Sequence, residues 1–288
     1  MFTVTIDYLL IPLAFICLLI ASYTDILERE VPDWLNYGLI FAALGIRAVF
    51  AVDQGWSVIL SGILGFGVCF LIACFFYYTH QWGGGDSKLL MGMGALLGIT
   101  YPFNGSSFNL LWYFVLLMIL GAGYGLLFMV VLAFKRRNLF MERFKEILKK
   151  YKGYHIFVGV FSIFFLVMSF KDTLFLVLAF IPLGLFYVLM FVNSVEKGFF
   201  VRNVIIPKLK EGDWMAESIY IDGKKIMEKR TLEQSDMAYL SELYRKGGIK
   251  EVAIKEGIPF VPSFLFAYVA FIFGSQYFFN LFFKAFLG

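Results

Sequence analysis

Gly83-Gly84-Gly85-Asp86-Ser87-Lys88 is the stretch whose reading decides the fold. It lies between apolar runs at roughly 57–80 and 87–100. Three consecutive glycines are costly to order and hold a helix poorly. They read as a requirement for tight turning or close backbone approach, one that delivers a carboxylate to the mouth of a membrane helix. A second acid, Asp25, closes the first apolar run, roughly 8–24. An ionisable group at membrane depth is expensive and marks function by default. We expect Asp25 and Asp86 to meet. The plainer readings are a wet loop residue for Asp25 and a helix cap for Asp86.

Outward from these two acids, the chain is 60% hydrophobic and 20% aromatic over 288 residues, with a mean hydropathy of +0.79. That composition excludes an ordinary soluble core and indicates a polytopic membrane protein. Further apolar runs fall at roughly 37–52, 109–134, 155–170, 173–194 and 259–286. The expectation is an all-α membrane protein of about eight transmembrane helices with a small α+β insert. The first run lacks basic residues before it and a small-residue cleavage pattern after it, so it reads as a retained helix. Cys17, Cys69 and Cys74 all lie in apolar runs without Cys-x-x-Cys spacing, and read as small buried hydrophobes. Small-xxx-small pairs at Ser61/Gly65, Gly94/Gly98 and Gly121/Gly125 predict close helix packing.

Lysine and arginine concentrate in 135–154 and 195–257, while the turns near 53–56 and 101–108 have none. Threading eight helices through these loops puts both basic segments on the cytoplasmic side. The loops holding Asp25 and Asp86 then share that face. Residues 138–152 pattern as an amphipathic helix, with Leu139, Phe140, Phe144, Ile147, Leu148 and Tyr151 on one face, suited to an anionic leaflet. Within 197–257, Ile219 and Ile221 alternate with polar neighbours before an Asp222-Gly223 turn. A helix near 233–246 and a strand over 249–255 follow. The domains expected are a catalytic membrane core (1–134), a basic interfacial helix (135–154), an added transmembrane pair (155–196), the cytoplasmic insert (197–257) and a last membrane helix (258–288).

Two close carboxylates share a proton and split their titration. One acts as base on a water while the other donates to a carbonyl oxygen. Asp86 begins a helix and Asp25 ends one, so the helix dipoles assign the base to Asp86 and the acid to Asp25. The chemistry needs neither metal nor cofactor, and none is expected. His80, near the glycines, reads as a polar anchor. No nucleic-acid partner is expected.

Ser22-Tyr23-Thr24-Asp25-Ile26, with Arg29-Glu30-Val31-Pro32-Asp33-Trp34-Leu35 behind it, resembles the first catalytic segment of type IV prepilin peptidases and archaeal preflagellin peptidases. Gly83-Gly84-Gly85-Asp86 is similar to their G-x-G-D motif, with Gly83 and Gly85 its fixed glycines, and Ile258-Pro259-Phe260-Val261-Pro262 resembles the opening of their last helix. The resemblance implies a membrane aspartyl endopeptidase with Asp25 and Asp86 as its catalytic pair. It implies removal of short basic leaders from pilin-like or archaellin precursors at the cytoplasmic membrane face. Glu28, Glu30 and Asp33 are then candidates for binding the leader's basic residues. The four cysteines of methylating bacterial relatives are missing, so no methyltransferase activity is expected. Two alternatives stay open. A presenilin or signal-peptide-peptidase type of intramembrane protease also uses G-x-G-D, and a proton-coupled transporter also uses membrane acids.

Overall fold

The computed structural model describes residues 5–79, 81–103, 105–221, 223–255 and 257–287, with backbone alone for 106 and 275–287. His80 and Asp222, singled out above, lie outside the described residues. In chain order the elements are α1 (Asp7–Glu28), α2 (Asp33–Gln54), α3 (Ser57–Tyr78), α4 (Gly84–Leu97), α5 (Asn109–Lys135), α6 (Arg137–Lys150), α7 (Lys152–Met168) and α8 (Leu174–Val195). Then come β1 (Val201–Ile205), β2 (Trp214–Met215), β3 (Ile219–Ile221), β4 (Lys224–Met227), α9 (Gln234–Arg245), β5 (Glu251–Lys255) and α10 (Val261–Leu287).

The protein is a mostly helical, multi-pass membrane protein with a small sheet region. All eight apolar runs form helices, but they are not equal. Among the described residues, five are long and apolar enough to cross a membrane: α1, α2, α3, α5, and α8 with the π-type turn that continues it to Phe200. The pair α6 and α7, bent by 79°, makes a sixth if taken as one span. Helix α4 has 14 residues and therefore reaches only about 21 Å, short of a hydrocarbon core of about 30 Å. That shortness is the physical reason a count of eight full crossings does not follow.

The chain forms two compact units, Met1–Gly125 with Pro259–Gly288, and Leu126–Ile258. In the first, α3 and α4 pack most closely. The Gly65 and Gly94 backbones touch, and a Cβ on Gly94 would lie 2.5 Å from the Gly65 carbonyl oxygen. The small-residue pairs of α3 and α4 are thus each other's partners. Gly98, at φ +69 beyond the end of α4, sits against the Ser61 carbonyl, which also accepts the Ile99 N–H at 2.9 Å. Leu18, Leu39, Leu89, Leu90, Met93 and Phe264 fill the core. Many outward residues are large and apolar, Phe41 and Leu71 among them, which suits contact with lipid. Two tyrosines fix α10. The Tyr268 hydroxyl donates to the Ile11 carbonyl at 3.2 Å, and that of fully buried Tyr113 donates to the Phe264 carbonyl at 3.4 Å.

In the second unit the apolar face of α6 packs on protein. Phe140, Phe144, Ile147, Leu148 and Tyr151 join clusters with Phe186, Met190 and Phe191 of α8. The sequence expectation left this face for lipid, whereas α8 covers much of it. The insert pairs β1, β5 and β2 in an antiparallel sheet and β3 with β4 in a hairpin. Its core gathers Ile206, Leu209, Met215, Met227, Leu232, Leu240, Val252 and Ile254.

Candidate active site

Asp25 sits in the last turn of α1 and is 7% exposed. Its carbonyl accepts the N–H of Arg29, which ends the helix in the left-handed region at φ 61. Its carboxylate Oδ2 accepts the Val261 N–H at 2.9 Å, and the Phe260 N–H acts on the same group. Val261 is the first residue of α10, and the early N–H groups of a helix have no partner within it. Asp25 therefore ends one helix and caps the next. Pro262 at the second position suits this turn, since a first-turn proline removes only an N–H that the helix leaves unpaired.

Asp86 is the third residue of α4 and is partly buried. The Gly83 backbone N–H faces its carboxyl, and that carboxyl lies within electrostatic reach of Asp25. The two acids thus lie within electrostatic reach of each other, each at the N-terminal end of a helix: Asp86 on α4, Asp25 on α10. The positive ends of helices favour anionic groups. The assignment of base and acid from helix ends fails on this point, because Asp25 also has an N-terminus facing it.

The glycines divide by role. None of the three has a positive φ, and Gly84 and Gly85 lie inside α4. A Cβ on Gly85 would lie 3.3 Å from the Val31 Cβ, so Gly85 makes the close approach. On Gly83 the nearest atom would be the Asp86 Oδ2 at 3.7 Å, and on Gly84 a Tyr77 ring carbon at 3.9 Å. Close approach holds for one glycine, then, and the fixed pair Gly83 and Gly85 flanks an open position.

Glu28, Glu30 and Asp33 are all exposed on the segment that follows Asp25. Asp33 pairs with Lys88 at 2.5 Å, and that ammonium also lies 5.3 Å from the Tyr37 ring centre. The ion pair joins the start of α2 to the motif helix.

Three further residues bear on the site, and sequence reasoning passed over them. Arg47, 7% exposed within α2, donates from Nε to the Ala95 carbonyl at 2.9 Å and from Nη2 to the Leu96 carbonyl at 2.6 Å. Its Nη1 donates to Ser61 Oγ at 2.6 Å and the Val58 carbonyl at 3.2 Å. It thus caps the C-terminal end of α4, as a cation there should. Its signal in the sequence was an arginine inside an apolar run. Tyr124 of α5 lies within reach of the charges of Asp25 and Arg29. Trp82 stacks on Phe76 with ring centres 4.6 Å apart. In a chain so aromatic, neither ring stands out by composition.

A family model described as the type IV leader peptidase family matches residues 13–127. The preflagellin peptidase of Methanococcus voltae is 38% identical over 87 residues, 30% of this chain and 36% of that protein. The preflagellin peptidase of Methanocaldococcus jannaschii is 36% identical over 81 residues, 28% of this chain and 34% of that protein. Prepilin peptidase EppA of Methanothermobacter thermautotrophicus is 30% identical over 168 residues, 53% of this chain and 43% of that protein. The chain spans about a third of the length of the preflagellin peptidases it matches and somewhat under half of the prepilin peptidase. The resemblance that the motifs carry therefore extends over residues 13–127, a stretch that contains both Asp25 and Asp86 and is similar to the type IV leader peptidase family.

Proposed function

We propose that this chain is a membrane aspartic endopeptidase that removes short basic leader peptides from prepilin-like or preflagellin (archaellin) precursors. The observation that supports this reading is that Asp25, buried on the first N–H of α10, lies within electrostatic reach of Asp86 in the first turn of α4. The names of the relatives, preflagellin peptidase and prepilin peptidase, support the substrate class.

Two neighbouring carboxyls hold one proton between them. The ionised member takes a proton from water as the water oxygen attacks the scissile carbonyl carbon. The protonated member gives its proton to the carbonyl oxygen, forming a neutral gem-diol. Collapse breaks the C–N bond, with the proton going to the leaving amine, and the pair again holds one proton. In our reading α4, α7 and α10 are membrane-embedded with the five long helices, giving eight. The cleavage face is the cytoplasmic face of the cell membrane, and the exposed basic residues of α6 meet anionic headgroups there.

Purified protein incubated with pilin and archaellin precursors, followed by N-terminal sequencing of the product, tests this. Cleavage after the basic leader, lost in both Asp25→Asn and Asp86→Asn, is the expected result. No cleavage of any precursor, or full activity in either variant, would overturn it.

A further inference from the structure

The loop that presents Asp86 meets the turn that holds Asp25 through the side chain of Trp82. Trp82 is the residue before Gly83. Its indole stacks on Phe76 near the end of α3, with the ring planes 17° apart. It also lies 5.6 Å from the Phe260 ring and 5.7 Å from the Phe264 ring, centre to centre. Phe260 directly precedes Val261, whose N–H binds Asp25. Phe264 is fully buried, and its ring meets that of Phe260 edge-on at 6.0 Å. The glycines that follow Trp82 have no side chains with which to hold the loop, and Gly83 and Gly84 make no close approach of their own. The indole is therefore a large contact on the N-terminal side of Asp86. It rests on the same turn of α10 that binds Asp25.

We infer that Trp82 is a positioning residue, fastening the Asp86 loop to the first turn of α10 so that this turn sets the separation of the two aspartates. The inference rests on the aspartic pair of the proposed function. It differs from space filling, which would leave the chemistry of a folded variant unchanged. It differs also from substrate contact, which would act on KM. A misplaced reacting group loses turnover steeply. Carboxyls held further apart interact less, so their two apparent titrations draw together.

The test uses the full chain in detergent, with a leader-bearing precursor as substrate and Asp25→Asn and Asp86→Asn run alongside. Trp82→Ala is expected to lower kcat by at least about tenfold while KM stays within about twofold. The acid and basic limbs of its kcat–pH profile should move toward each other. Trp82→Phe, which restores a ring, should recover kcat to within about threefold. An unchanged kcat and pH profile in Trp82→Ala, an effect on KM alone, or a phenylalanine variant no better than alanine would each overturn the inference. If Trp82→Ala does not fold, Phe264→Leu takes its place, thinning the platform while leaving the Asp25 bond intact, with the same expectations. A second measurement needs no substrate: the distance between spin labels at Glu28 and Gln81, with Cys17, Cys69 and Cys74 replaced. It should be narrow in the parent and broad in Trp82→Ala; equal widths would overturn the inference. Cleavage retained in an aspartate variant defeats the aspartic reading itself. Dead aspartate variants beside a normal Trp82→Ala defeat only the role given to Trp82.

Discussion

The Val261 N–H donates to Asp25 Oδ2 at 2.9 Å across 236 residues of sequence. The proposed mechanism thus gives one carboxylate two tasks, chemistry beside the capping of α10, and substitution separates them. Asp25→Asn keeps an oxygen acceptor for Val261, whereas Asp25→Ala leaves that buried N–H without a partner. Both should abolish cleavage. Only the alanine variant should also lose stability, by about 1 kcal/mol, the usual cost of deleting an N-cap. Thermal unfolding in detergent beside a cleavage assay checks this, and equal melting temperatures for the two variants would remove the capping role.

The fixed and variable glycines of the motif should separate in the same way. Gly84→Ala meets nothing closer than 3.9 Å and lies at the first position of α4. It should leave folding intact or gain up to about 1 kcal/mol from the less flexible unfolded chain. Gly85→Ala presses on Val31 at 3.3 Å and should cost a little. Gly94→Ala drives a Cβ to 2.5 Å from a backbone oxygen, with the Cys69 Cβ at 2.6 Å. Neither contact can give without parting α3 from α4, so this variant should fail to fold. Expression and melting of the three variants rank them, and a stable Gly94→Ala would contradict the packing.

The eight apolar runs were legible because hydropathy is a local property, and all eight are helices. The start of α4 was not. The sequence placed it at 87, since glycine is a poor helix former, yet Gly84 and Gly85 are helical because Gly85 fits against Val31. Tertiary contact overrode propensity there. The hairpin, α9 and β5 followed from alternation and turn residues. Strands β1 and β2 escaped notice. The first is exposed along most of its length, and the second has two residues that pair with β5 some forty positions away. At the site, Asp25 and Asp86 could be read from their places at the ends of apolar runs. The Val261 N–H could not, because a backbone donor carries no side-chain signal. Arg47 could be seen as odd, but its carbonyl partners on α4 depend on how the helices pack.

Arg47 should be the most costly polar residue of the membrane core to lose. Its guanidinium satisfies the last carbonyls of α4 and the Ser61 hydroxyl. Arg47→Met would strip all four bonds and leave those buried acceptors to be satisfied elsewhere. A loss of about 3 kcal/mol or more is expected. Arg47→Lys, with one ammonium in place of a planar fork, should recover only part of it. Unfolding by SDS titration measures both. A methionine variant as stable as the parent would show that the capping of α4 is dispensable.

The acids after Asp25 should read the charge of the leader unequally. Glu28, Glu30 and Asp33 are exposed within eight residues of Asp25, but Asp33 has Lys88 at 2.5 Å. A charge already compensated offers less to an incoming lysine or arginine. Glu28→Gln should therefore raise KM for a basic leader, by about two- to fivefold, the range of an exposed ion pair. The effect should shrink as salt screens this exposed charge. Asp33→Asn should act less on KM. It should instead cost under about 1 kcal/mol of stability through the lost surface pair. A precursor whose leader lysines are replaced by glutamine is the control, and neither change should alter its KM. If Glu28→Gln weakens cleavage of both precursors equally, Glu28 serves the fold of the segment between α1 and α2 and not the substrate. If Asp33→Asn weakens only the basic leader, and by as much as Glu28→Gln does, then Lys88 releases Asp33 when substrate docks.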